Sequence, residues 1–179
     1  MSLVELYNNA ERLLNKYNLP IMPDKRKGRR NTFGIVCHVL KYTRPPFPCS
    51  NNTHYRELFQ ALRDLGDQIV PFTYDAITIN QNTVIGPHKD KGNLGASLLV
   101  TLGNYSGGSF MLEGVPQDTL YNPIVFNGDE KEHWAESFQG TRFSVIFFKI
   151  TIPDKFLHLF PKGVNDPNRD YSLLDLDWD

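Results

Sequence analysis

From Tyr74 to Ile152 the chain is a succession of short β-rich runs: YDAITIN, SLLVTLG, SFMLEG, TLYNPIVF, EHWAES and TRFSVIFFKITI. Val, Ile, Phe, Tyr and Thr suit a pleated, half-buried surface, and the intervening Gly, Asn and Pro are turn formers. Many short strands at this spacing predict an antiparallel sandwich or barrel built from hairpins. The preceding third has a different texture. Residues 2–17 place Leu3, Val4, Tyr7, Leu13 and Leu14 at helical spacing behind Ser2 as N-cap. A loop with two prolines follows and carries the basic run Lys25 to Arg30. Phe33 to Leu40 reads as a strand, YTRPPFPCSNN as a loop, and residues 53–66 as an amphipathic helix stopped by Gly66. The organisation expected is one domain over residues 1–179: a helical N-terminal region over residues 1–70, a β core over 71–152, and a tail over 153–179 with a short helix at DKFLHLF.

Charge limits the partners. The net charge is −1, which argues against a protein that grips nucleic acid by bulk charge alone. The distribution is uneven, however. Residues 1–60 hold ten Lys and Arg against four Asp and Glu, and residues 61–179 hold nine against sixteen. A basic face of this kind is compatible with a polyanionic partner. No apolar run approaches membrane-spanning length, and the N-terminus lacks a basic segment followed by an apolar one. The expectation is an intracellular protein, nuclear or cytoplasmic, without a signal peptide or membrane span. Cys37 and Cys49 read as free thiols.

The chemistry concentrates in a few residues. His88 and Asp90 sit two apart, so in an extended segment their side chains point the same way. His133 follows 43 residues after Asp90, near the end of the strand run. Two His and one carboxylate form the facial set that holds non-haem Fe(II) and leaves three coordination positions open. Three open positions suit a bidentate 2-oxo acid plus dioxygen. The far carboxylate of that acid then needs a buried cation. Arg142 opens the apolar strand VIFFKI, its fork matches a carboxylate, and Ser144 lies on the same face two residues on.

With these residues the chain resembles the Fe(II)- and 2-oxoglutarate-dependent dioxygenases, over roughly residues 74–150. Within them it is most similar to the TET/JBP branch. The likeness rests on Asn80, the HxDxxN run from His88 through Asp90 to Asn93, the strand Ser97 to Gly103, and the hairpin Tyr105-Ser-Gly107-Gly108. The resemblance implies an α+β protein with a double-stranded β-helix core, jelly-roll and cupin-like, against which the N-terminal helices pack. It implies Fe(II) at His88, Asp90 and His133, and 2-oxoglutarate at Arg142 and Ser144 with Asn80 facing it. Dioxygen is the oxidant, and the substrate is the 5-methyl group of 5-methylcytosine or thymine in nucleic acid, with DNA as partner.

Other readings stand beside these. Asn93 either hydrogen-bonds the edge of a flipped base or caps the KGN turn. Arg29 and Arg30 either hold phosphates or belong to a solvated basic loop. Gly107 and Gly108 read as a hairpin turn, Trp134 as core, and His38, His54 and His158 as ordinary structural histidines. The same chemistry could instead serve a hydroxylase of a protein side chain or small molecule. A catalytically silent β-helix module used for binding is the third reading.

Overall fold

A computed structural model describes residues 1–20, 27–37 and 44–179, with the backbone alone at 27–29. The first helix, α1, spans Leu3–Lys16 and starts with a capping box: the Glu5 N–H donates to the Ser2 hydroxyl at 3.3 Å, and the Ser2 N–H to the Glu5 carboxylate at 2.6 Å. Its buried face is Leu6, Tyr7, Ala10, Leu13 and Leu14, whereas Leu3 and Val4 are exposed. The other helices are α2, Asn51–His54, and α3, Arg56–Ile69, which buries Leu58, Ala61, Leu62 and Leu65. Gly66 is no stop signal. It lies inside α3, where a Cβ would stand 2.5 Å from the Phe147 ring and 2.6 Å from the Tyr74 hydroxyl. Glycine there lets the helix approach the sheet.

Eleven strands are described, in chain order: β1 Lys27–Val36, β2 Phe47–Pro48, β3 Ala76–Val84, β4 Asn93–Leu102, β5 Tyr105–Gly107, β6 Phe110–Leu112, β7 Val115–Gln117, β8 Ile124–Phe126, β9 His133–Ala135, β10 Phe138–Gly140 and β11 Phe143–Ile150. A six-stranded antiparallel sheet runs β2-β1-β3-β11-β4-β8, faced by β7-β6-β9 and by the pair β10-β5. The expected loop through the basic run is therefore corrected from Lys27 onward, because these residues extend β1 and pair with β3. That pairing is long-range, so no local signal announced it. Lys25, Arg26 and the end of the predicted strand, His38 to Leu40, lie outside the described residues. DKFLHLF is helical as expected, but of the tighter 3-10 kind.

The large sheet has two different faces, and strand alternation assigns them. Ile77, Ile79, Leu98, Val100, Leu102, Phe143, Val145 and Phe147 point to one side and share a core with α1 and α3. Burying such a side chain contributes about 1.5–3 kcal/mol. The residues between them point inward. Arg30, Asn80, Ser144 and Thr101 lie side by side in one row across four strands. The inner apolar filling is small: Leu99, Phe110 and Phe126, with Leu112, Ile124 and Ile146 against them. A helix layer on one side and a partly polar hollow on the other define the architecture.

Residues 153–179 strap the edge of this sheet. The Asp75 carboxylate, fully buried, accepts from the backbone N–H of Ile150 and of Leu173, both at 2.9 Å, and pairs with Arg169. Arg169 also donates to the Val164 carbonyl at 2.8 Å, and Ser172 donates to the carbonyl of Tyr74. A second core forms beneath, from Ile35, Ala76, Ile150, Ile152, Val164 and Leu173.

Candidate metal centre

After β3 the chain crosses to the smaller sheet, and His88 pairs directly with His133. The His88 N–H donates to the His133 carbonyl at 3.1 Å and the reverse bond is 3.0 Å. Directly paired residues present their side chains on one face, and Asp90, two residues on, joins them. Its N–H is held by the Gly128 carbonyl at 2.7 Å. The outcome is a cluster in which one ligand atom from each of His88, Asp90 and His133 lies within 4.8 Å of the others. Among the described residues no other group of three His, Cys, Asp or Glu meets this condition, so His54 and His158 stay outside it.

The imidazole orientations fit a metal. Each Nδ1 stands by a backbone carbonyl, that of Gly86 at 2.9 Å for His88 and that of Lys131 at 2.8 Å for His133. A carbonyl only accepts, so the proton of a neutral ring sits on Nδ1 and the lone pair on Nε2. Both Nε2 atoms face the Asp90 carboxylate, His88 at 3.5 Å and His133 at 3.3 Å. Lone pairs turned on a carboxylate repel unless a cation lies among them, and a divalent ion answers that need. Burial pushes the Asp90 carboxyl up, but where the two rings are protonated their hydrogen bonds and charge outweigh it and hold the group well below the usual carboxylate range; among neutral rings a divalent ion would take over that role. The carboxylate is thus ready as a ligand. The Phe110 and Phe126 rings lie 5.7 and 5.1 Å from that of His133 and fix its plane.

No sequence pattern marks Gly128, yet it borders this carboxylate. A Cβ there would stand 2.8 Å from Asp90 Oδ2 and 3.4 Å from the Phe126 ring. Gly128→Ala is expected to turn the carboxylate and weaken divalent-metal binding about ten-fold. Calorimetric titration with Mn(II) checks this, with Gly86→Ala, where a Cβ meets nothing within 4 Å, as control.

Across the same hollow lies Arg142, only 2% exposed. One of its terminal nitrogens donates to the Ser144 hydroxyl at 2.6 Å, while its Nε and other terminal nitrogen have no hydrogen-bond partner among the described residues. Burial lowers its pKa and the nearby Tyr105 opposes that. The Tyr105 ring lies 5.5 Å from the guanidinium carbon, and the Tyr105 hydroxyl is 2.6 Å from that of Thr101. A buried guanidinium with two orphaned donors is costly unless an anion completes it. The gap suits a carboxylate. Gly107 and Gly108 are not the expected hairpin turn: Gly107 ends β5, which pairs with β10, and the two glycines, with φ of 74° and 67°, carry the chain on to β6 in the other sheet; a Cβ on Gly108 would also press on Arg142 Cδ at 3.3 Å.

The cavity between the two groups measures about 660 Å³ and holds His88, Asp90, His133, Arg142 and Ser144 in its wall. Asn80 lines it too, with its carboxamide oxygen buried and unpartnered among the described residues. Asn93 does so from the first position of β4, opposite Ile150, with its amide 3.3 Å from the Ser97 hydroxyl, so it opens a strand and does not merely cap a turn. Arg30 faces the cavity from β1 beside Asn80. The side chain of Arg29 lies outside the described residues, and its backbone pairs with Gln81. Trp134 is half-exposed at the cavity edge, not core. Lys89 and Lys91 stand at the wall beside Asp90. Their alternation with the ligands is visible in the sequence, but their place at a cavity is not.

The fold and cluster together define a double-stranded β-helix with a two-His, one-carboxylate set. Solved structures match the chain, the first two closely enough to share this fold. NgTET1 in complex with 5mC DNA matches with a TM-score of 0.54 at 14% identity, over 83% of this chain and 67% of that one. An oxidoreductase of the 2OG-Fe(II) oxygenase family from Burkholderia pseudomallei matches with a TM-score of 0.50 at 18% identity, over 82% and 76%. A Pseudomonas putida prolyl-4-hydroxylase matches with a TM-score of 0.47 at 12% identity, over 84% and 89%. No protein-family model matches the chain, and no curated protein matches it by sequence. No described helix is long and apolar enough to cross a membrane.

Proposed function

We propose that the chain is an Fe(II)- and 2-oxoglutarate-dependent dioxygenase that oxidises the 5-methyl group of a pyrimidine base, 5-methylcytosine or thymine, in nucleic acid. The observation that carries the chemistry is the pairing, in one cavity, of the His88, Asp90 and His133 cluster with the orphaned donors of buried Arg142. The first set would hold Fe(II). Arg142 and Ser144 would bind the far carboxylate of 2-oxoglutarate, and Asn80 would offer a polar contact along it. With dioxygen, the bound ion and co-substrate supply a strong oxidant, leaving succinate and carbon dioxide. The protein's role is orientation and exclusion of water: Leu99, Phe110 and Phe126 keep the inner wall apolar.

The substrate reading is supported by the cavity mouth and by the fold shared with a protein solved on 5mC DNA. A base reaches such a hollow only by leaving its stack. Asn93 would meet the base edge, and Arg30, Lys89 and Lys91 would bring positive charge to the strand. The test is mass spectrometry of nucleosides after incubating methylated and unmodified DNA with protein, Fe(II) and 2-oxoglutarate. A hydroxymethyl nucleoside is expected that needs both additions and falls steeply as salt rises. Succinate release with every nucleoside unchanged would reject the nucleic-acid substrate, keep the chemistry, and favour a protein or small-molecule hydroxylase.

A further inference from the structure

The backbone of Arg142 is held in an unusual way. In register, β3 and β11 pair Phe143 with Gln81, so Asn82 comes opposite Arg142. A regular ladder would use the Asn82 carbonyl as acceptor. Instead Asn82 is left-handed, with φ of 54°, and its carboxamide oxygen takes the Arg142 N–H at 2.8 Å. The Asn82 N–H in turn donates to the Arg142 carbonyl at 2.9 Å. The pairing of β3 with β1 is also irregular here: Lys27 opposes Val84 and Arg29 opposes Gln81, so β3 carries one extra residue between them. Asparagine is among the few residues that tolerate this backbone and can hydrogen-bond locally while adopting it.

We infer that Asn82 is a positioning residue for co-substrate binding: it clamps Arg142 where β3 parts from β11, and so sets the direction in which the guanidinium enters the cavity. This rests on the reading of Arg142 as the anchor of 2-oxoglutarate. The metal ligands are secured separately, by the reciprocal bonds of His88 with His133 and the bond from Asp90 to Gly128. Asn82 is exposed, so truncating it opens no hole in the core. Its effect falls on the co-substrate end alone.

The experiment compares Asn82→Gly, which keeps the backbone freedom and loses the acceptor oxygen, with Asn82→Asp, which keeps both. Binding of 2-oxoglutarate to Mn(II)-loaded protein and binding of Mn(II) itself are measured by calorimetry for each. Asn82→Gly is expected to weaken 2-oxoglutarate about ten-fold with Mn(II) affinity unchanged, and Asn82→Asp to stay within about three-fold of the parent, as loss of one hydrogen bond predicts. Unaltered 2-oxoglutarate affinity in Asn82→Gly would overturn the inference. So would an equal loss of Mn(II) affinity, which would mean general damage. If the parent protein itself binds no 2-oxoglutarate, the reading of Arg142 fails first, and the inference with it.

Discussion

Asp90→Ala is expected to lower divalent-metal affinity by at least about a hundred-fold and to abolish succinate release from 2-oxoglutarate. The carboxylate is the one anionic member of the cluster and stands within 3.5 Å of both imidazole nitrogens, so without it two neutral rings must hold the ion alone. The chain should still fold, because Asp90 is half-buried and the His88–His133 pairing does not depend on it. Mn(II) calorimetry and a succinate assay on the same preparation check both halves. Metal bound as tightly as in the parent, or succinate released at the parental rate, would remove these residues from the chemistry.

Arg142→Met should separate co-substrate from metal. Methionine preserves much of the length and apolar contact but loses the fork. Two charge-assisted hydrogen bonds, each about 1.5–3 kcal/mol, are lost to the carboxylate, so 2-oxoglutarate affinity should fall at least about a hundred-fold while Mn(II) affinity holds. The stability of the ligand-free protein gives an independent sign. A structural arginine would cost stability when replaced. This one is buried with two donors unpartnered among the described residues, so its replacement should leave the melting temperature unchanged or raise it. A large fall in melting temperature with unchanged 2-oxoglutarate affinity would make Arg142 a piece of scaffold.

The features of this site legible in the sequence obey short-range rules. His88 and Asp90 share a face, and so do Arg142 and Ser144, because alternation along an extended chain is local. Even His133, far along the chain, could be placed by chemistry, since the set needed a third ligand. What stayed hidden depends on how distant segments approach one another. Gly66 has the look of a helix stop, but its meaning comes from Phe147 and Tyr74. Gly128 resembles any turn glycine until Asp90 is set against it. Arg30 reads as belonging to a basic loop, yet pairing of β1 with β3 turns it into the cavity beside Asn80. Asn82 carries no motif, and only the register of β3 against β11 gives it a role.

The strap over Asp75 bears on where this protein can safely be shortened. By composition, residues 153–179 look like an acidic appendage that could be trimmed or replaced by a tag. Cutting there would strip a fully buried carboxylate at the end of the sheet of its guanidinium and of the Leu173 N–H. An uncompensated buried charge of that kind costs about 3–5 kcal/mol, a large share of what keeps a domain folded. A shortened protein could keep every strand and side chain of the cavity wall and still be inactive, for want of the counter-ion to Asp75.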